Sequence, residues 1–261
     1  MKIILKSFNP DILDEDYTSK VSLKCKKSAG PVAVTIETTR GSGGALSSKV
    51  GTKFSYAGLA FDKVQLAADG SKVLETSLVP ASGTKLSFKG NKGADLGCDY
   101  KSGSFVATGK LDVKELSKFS TSACVGLSSG VVVGGSAAYS IAKSSLSAFD
   151  IGASYTTGPL FASVTTGNKV STFNAGLMYK VNNELSVASM SVHSAENPLE
   201  SFTVGGAYKA SVGDVKAKVD NNGLISACLI KEIAPKVTAT ASGSVSAKDP
   251  STFKYGLGIV M

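Results

Sequence analysis

The side chains best equipped for chemistry in this chain are its lysines. Basic residues number 28 against 20 acidic ones, a net charge of +8, and Arg40 is the only arginine. Proteins that read bases lean on arginine for bidentate contacts to guanine and phosphate, so nucleic acid is not expected as a partner. A field of lysines instead attracts small anions of any shape. Catalytic types are thin. The one histidine, His193, stands in Ser191-Val-His-Ser194 and reads as a surface or loop residue, because no nucleophile elbow surrounds any serine. Cys25, Cys98, Cys124 and Cys228 form no CxxC pair and no zinc signature, which suits four free thiols in a non-oxidising setting. The glycine clusters Gly41-Ser-Gly-Gly44 and Gly134-Gly135 lack a following helix and read as turns or tight strand contacts, not phosphate loops. No catalytic residue, metal site or cofactor is expected, and the chain does not read as an enzyme. Glu37 and Glu75 could face water or lipid, and a carboxylate in lipid would be costly.

The elements that must carry these lysines are strands. Composition favours them: 28 glycines, no tryptophan, 7% aromatic residues and 7 prolines. Alternation with period two runs through nearly the whole chain after residue 18. At 20–26, Val21, Leu23 and Cys25 oppose Lys20, Ser22, Lys24 and Lys26. At 149–156, Phe149, Ile151, Ala153 and Tyr155 oppose Asp150, Gly152, Ser154 and Thr156. From 236 to 248, lysine, threonine and serine alternate with alanine, valine and glycine without a break. Short turn signals such as Ala68-Asp-Gly70, Gly90-Asn-Lys-Gly93 and Asn221-Asn-Gly223 separate the segments. Each segment reads as an antiparallel strand that is wet on one side.

These strands could build a soluble sandwich or a membrane barrel. A sandwich core needs bulky residues on its inner faces, whereas many apolar faces here are alanine, glycine and valine, which acyl chains accommodate. Lysine, serine and threonine on the other face suit a water-filled lumen. Tyr155, Phe161, Tyr179, Tyr208, Phe253 and Tyr255 near strand ends suit interfacial aromatic girdles. No run approaches ~18 apolar residues, so no spanning helix is expected and a closed barrel is the remaining way across a bilayer. The start lacks a secretory apolar region, and Asp11-Ile-Leu-Asp-Glu-Asp16 is unlike a mitochondrial presequence. At ~12–13 residues per strand and turn, the chain beyond residue 18 holds about nineteen units.

Several stretches resemble the voltage-dependent anion channel family of mitochondrial porins. They are Gly83-Thr-Lys-Leu-Ser-Phe88, Asp95-Leu-Gly-Cys-Asp99, Ala175-Gly-Leu-Met-Tyr-Lys-Val-Asn-Asn-Glu-Leu-Ser-Val-Ala188 and Lys218-Val-Asp-Asn-Asn-Gly-Leu-Ile225, in the family's order. The final residues are similar to the C-terminal sorting signal of mitochondrial outer-membrane barrels, with Lys254, Gly256, Ile259 and Met261 at its defining positions. Similarity is weakest at 40–80 and 100–130. The resemblance implies an all-β transmembrane antiparallel barrel of about nineteen strands with parallel pairing of the first and last, 20–26 beside 253–261. It implies residues 1–18 as an N-terminal segment inside or at the mouth of the pore, and 19–261 as the barrel. It also implies a mitochondrial outer-membrane channel for passive diffusion of ATP, ADP, phosphate and organic acids, weakly anion-selective and voltage-gated. The partners implied are membrane lipids, anionic metabolites and nucleotides in transit, and the machinery that inserts outer-membrane barrels; homo- or hetero-oligomers in the membrane are compatible with it. The expected pore-lining set is Lys20, Lys24, Lys85, Lys89, Lys110, Lys180, Lys209, Lys216, Lys218, Lys236 and Lys254.

The N-terminus departs from the family, which carries a longer, basic helix there. Here an acidic stretch offers one or two helical turns over 10–17, with Asn9-Pro10 as cap and first position and Ile12 and Leu13 as anchors to the wall. Two alternatives share the strand pattern: the barrel of the outer-membrane protein-import channel, which has an acidic lumen and a long N-terminal segment, and a structural porin-like subunit of a membrane assembly. A soluble β-rich scaffold is the third.

Overall fold

The computed structural model describes residues 11–41 and 43–261. The proposed cap at Asn9-Pro10 lies outside the described residues. A short helix α1, Asp11–Asp14, precedes nineteen strands. The first ten are β1 (Val21–Ala29), β2 (Val32–Arg40), β3 (Leu46–Tyr56), β4 (Leu59–Ala67), β5 (Lys72–Ala81), β6 (Thr84–Gly90), β7 (Ala94–Ser102), β8 (Phe105–Asp112), β9 (Lys118–Gly126) and β10 (Val131–Ser140). The rest are β11 (Ser145–Thr157), β12 (Leu160–Gly167), β13 (Thr172–Lys180), β14 (Leu185–Ser194), β15 (Ser201–Ala210), β16 (Gly213–Asp220), β17 (Leu224–Ala234), β18 (Val237–Ser246) and β19 (Asp249–Val260).

Each strand pairs antiparallel with the next in sequence, so the chain is one long meander. An even number of such strands would bring the two ends together antiparallel. Nineteen is odd, so closure must be parallel, and β1 meets β19 that way, from Val21 opposite Leu257 to Lys24 opposite Val260. The last residue extends the seam: Met261 N–H donates to the Lys24 carbonyl at 2.9 Å, and its own carbonyl accepts from Lys26 N–H at 2.5 Å. Closure leaves no edge without a partner along the shared length, which is what a strand in hydrocarbon requires. The expected pairing of 20–26 with 253–261 is found in this register, and the strand count matches the family's.

The seam is short because β19 starts well before β1. Residues 249–256 of β19 run past the beginning of β1; Lys254, Tyr255 and Gly256 pair with β18, and the register slips between Lys254 and Asp249. Here the incoming chain crosses the inner face of β19. A Cβ on Gly256 would sit 2.3 Å from the Thr18 carbonyl oxygen and 2.9 Å from that of Lys20. Any side chain at 256 therefore pushes the first strand off the last one.

A bulge resolves a conflict that alternation alone cannot. Asp62 and Lys63 are adjacent, so strict period two would send one charge outward. The register of β4 slips against β3 between Thr52 and Phe54, and against β5 between Phe61 and Lys63. The extra residue lets both charges point inward while Phe54 and Phe61 stack outside at 4.5 Å.

We expect Gly256→Val to weaken seam closure by roughly 1–3 kcal/mol, the usual cost of overpacking. Unfolding of the micelle-refolded protein, followed by far-ultraviolet circular dichroism, measures it. A midpoint unchanged from the parent would show that the crossing chain simply moves aside.

Candidate permeation pathway

Cross-strand register fixes which way each side chain points. Ile12 and Leu13 of α1 are 8% and 2% exposed and pack on Ala188, Met178, Met190 and Ala207, so these residues mark the inner face. Gly205 belongs there too, since a Cβ on it would meet Leu13 Cδ2 at 2.8 Å. Following partners from strand to strand then sorts the whole barrel. Outward residues form an apolar band, with Leu23, Ile36, Val50, Leu66, Leu96, Val133, Ile151, Leu177, Val204 and Leu257 all exposed. The charged side chains that the register turns outward, Lys27, Arg40, Lys72 and Lys231, lie near a mouth. Aromatic residues frame the band. Tyr56, Tyr100, Tyr155, Tyr179 and Tyr208 lie toward the mouth where β1 ends; Phe119, Tyr139, Phe173, Phe202 and Phe253 lie toward the mouth where it begins. Phe161 departs from the expected girdle. It stands opposite Met178 on the inner face, because β12 starts one residue earlier, at Leu160, which takes the outward place beside Tyr179.

The inner face carries the charges. From β1 to β8 they form ladders: Lys24 and Lys49 flank Glu37 at 3.8 and 2.8 Å, and Lys89 meets Glu75 at 2.7 Å. Asp62 accepts from Ser77 at 2.5 Å and from Lys85 at 3.1 Å, with Lys53 at 3.8 Å. Both glutamates, open at the level of sequence, thus face the interior. The pairs are partly exposed to water, so each contributes little to stability and is screened by salt.

Lys26, Lys63, Lys101, Lys110, Lys118, Lys180, Lys209 and Lys254 also point inward and make no ion pair among the described residues, as do the carboxylates Asp95, Asp99 and Asp214. Lys20 precedes β1, and its carbonyl accepts from Leu257 N–H across the seam at 3.0 Å. Lys236 occupies the turn between β17 and β18 with φ 68°, at a mouth and not on the wall. Sequence reasoning left out Lys26, Lys49, Lys53 and Lys63. Lys49 and Lys53 share the parity of Gly51, and Lys26 that of Lys24, so alternation could have found them; Lys63 is hidden by the bulge.

The opposite wall is nearly neutral. On β10 to β14, Asp150 and Lys180 are the charged residues that face inward, among Ser136, Ser154, Ser163, Thr165 and Asn174. The interior is therefore lopsided, with a charged arc facing a hydroxylated one.

The chain ahead of β1 straps across the inside. Asp16 pairs with Lys216 at 2.6 Å, and Lys218 donates to the Leu13 carbonyl while its ammonium lies 4.4 Å from the Tyr17 ring centroid. The Tyr17 hydroxyl donates to the Ile12 carbonyl at 3.0 Å. Burial, then Cys228 and Asp16, push the Tyr17 phenol upward, so it stays protonated as that donor. Ser242 Oγ accepts from Thr18 N–H at 3.3 Å and donates to the Thr18 carbonyl at 2.5 Å. Two of the eleven lysines named from sequence, Lys216 and Lys218, thus serve this strap.

Where the strap docks, the second half of β14 is reversed. Ala188, Met190 and Val192 face inward, and Ser189, Ser191 and His193 face outward. His193 lies near the strand end, as a surface residue. Its Nδ1–H donates to the Pro198 carbonyl, which leaves Nε2 to accept from Ser191 Oγ at 2.9 Å.

Comparison with known proteins agrees with this architecture. Residues 4–258 match the family of eukaryotic porins. A relative called mitochondrial outer membrane protein porin 2, from Arabidopsis thaliana, is 27% identical over 262 residues, covering 96% of this chain and 94% of that protein. The protein of the same name from Oryza sativa subsp. japonica is 30% identical over 132 residues, 49% of this chain and 47% of that one. Among solved structures, a Rh. blastica porin variant superposes with a TM-score of 0.52 at 12% identity, covering 81% of this chain and 88% of that one; this likeness concerns the fold alone. Closed by a parallel seam, apolar outside and charged within, the chain belongs to the eukaryotic porin family and is a pore-forming barrel of the mitochondrial outer membrane.

Proposed function

We propose that this barrel lets small anionic metabolites, ATP, ADP, phosphate and organic acids, diffuse through the outer membrane with a weak preference for anions. The observation that carries the reading is the set of inward lysines that make no ion pair among the described residues: Lys26, Lys63, Lys101, Lys110, Lys118, Lys180, Lys209 and Lys254. Ammonium groups on the wall of a water-filled hole raise the local anion concentration without binding any one anion tightly. The paired residues Lys24, Lys85 and Lys89 contribute less, because their carboxylate neighbours cancel most of their field. Within the same reading, residues 1–18 are the segment at or inside the pore and 19–261 the barrel. Voltage would act on the strap, whose described part holds Asp11, Asp14 and Asp16 against a basic wall. Lys254, Gly256, Ile259 and Met261 are proposed as the address read by the insertion machinery.

The test is planar-bilayer recording under a potassium chloride gradient. Anion preference should show as a reversal potential of the corresponding sign. It should shrink as salt rises, because the screening length falls from ~10 Å at 0.1 M to ~3 Å at 1 M. Replacing Lys26, Lys63 and Lys110 together with glutamine should reduce the anion-to-cation permeability ratio about twofold. A cation-preferring channel blocked by basic peptides would support the protein-import reading instead.

The strap makes its own prediction. Leu13→Ala should loosen its docking by roughly 3 kcal/mol, the scale of a buried leucine truncated to alanine. Open-channel current noise should rise while the reversal potential stays put. Unchanged noise would mean that the strap does not border the conducting path.

A further inference from the structure

The strongest unassigned feature is on the outside of the barrel, at the seam. Arg40 is the last residue of β2, opposite Val21 and Leu46, and all three point outward. It makes no ion pair and no side-chain hydrogen bond among the described residues. A guanidinium facing a bilayer is stable only at headgroup depth and with an anion to meet. Arg40 has the depth, since it ends its strand at the mouth where β1 begins.

The overhang of β19 supplies the rest of the site. Because β1 begins only opposite Leu257, the edge of β19 before that point borders a notch. The notch has a volume of about 330 Å³; Arg40, Val21, Phe253 and Tyr255 line it from the outer face, Ser19, Gly41 and Gly44 lie at its rim, and Lys254 reaches it from the inner face. Leu257 N–H points across the seam to the Lys20 carbonyl. The two-residue period of a strand aims the amide of Tyr255 the same way, into the notch. The rings of Phe253 and Tyr255 lie 6.4 Å apart at 23° and form an apolar floor on the lipid side.

A planar fork of N–H donors, the flanking backbone amide of Tyr255 and an apolar floor that opens outward suit a phosphodiester carrying acyl chains. We propose that this notch binds the headgroup phosphate of an anionic phospholipid, with Arg40 as its anchor. Guanidinium is chosen over ammonium where a phosphate is gripped by two parallel hydrogen bonds. That accounts for the lone arginine of a lysine-rich chain standing here. A soluble phosphate is not the occupant proposed, because Arg40 and the rings of Phe253 and Tyr255 put the outer rim of the notch on the lipid side at headgroup depth. The bound lipid would also cover the part of β19 that β1 leaves open.

Native mass spectrometry of the folded protein, released from micelles supplied with phosphatidylglycerol or with phosphatidylcholine, tests this. The parent should retain one phosphatidylglycerol about tenfold more readily than phosphatidylcholine. Arg40→Gln should lose that preference and Arg40→Lys should keep only part of it. Lys231→Gln, at the opposite mouth, should behave as the parent. Circular dichroism on each variant confirms that the barrel has formed. Equal retention of phosphatidylglycerol by parent and Arg40→Gln overturns the proposal, as does equal retention of the two lipids by the parent. Displacement of the lipid by millimolar inorganic phosphate would also overturn it, by showing that the notch takes a soluble anion.

Discussion

The closed meander of this molecule follows from one demand: backbone amides and carbonyls in hydrocarbon must all be paired, because nothing else there can pair them. A meander of strands meets the demand except at its two ends. Joining the ends removes the defect, and with nineteen strands they can be joined only in parallel. The price is a short seam, finished by the backbone of Met261 and passed closely by the incoming chain at Gly256.

The second demand is electrical. Ionised side chains must point at water, so the strands keep their lysines and carboxylates on the inner face except near a mouth, where Lys27, Lys72 and Lys231 face outward. Where two charges are neighbours in sequence, as at Asp62 and Lys63, the strand gains a residue to keep both inside. The result is an interior divided into a charged arc on β1 to β8 and a hydroxylated arc on β10 to β14. The electrostatic field inside the hole is therefore uneven around its circumference.

Much of this was legible in the residues. Alternation placed the strands at 20–26, 149–156 and 236–248 within a few positions, because a half-wet strand has to alternate. The weak stretch at 40–80 contains the bulge, whose extra residue breaks the very period being read. Phe161 looked like an interfacial aromatic because it sits near a strand end; a one-residue difference in where β12 starts turns it inward. Lys236 looked like part of a regular strand, whereas Pro235 and the positive φ at Lys236 make it a turn. The anchoring of Ile12 and Leu13 was readable as two apolar residues in an acidic run, but their pocket was not. It is assembled from β13, β14 and β15, which only the closed barrel brings opposite them.

The reversed sidedness in the second half of β14 bears on assembly. For most strands, a slip of one residue exposes charge to acyl chains and is heavily penalised. For β14 the slip is nearly balanced: Ala188, Met190 and Val192 would turn to lipid, but Leu185 and Val187 would turn to water and Ser186 to lipid. Transfer free energy therefore discriminates little between the two pairings at this strand. What opposes the slip is the contact that Ile12 and Leu13 make with its inner face, together with the neighbours β13 and β15. The strap is thus a template for register as well as an occupant of the hole, and a chain lacking it would mature with this hairpin undecided between two alignments.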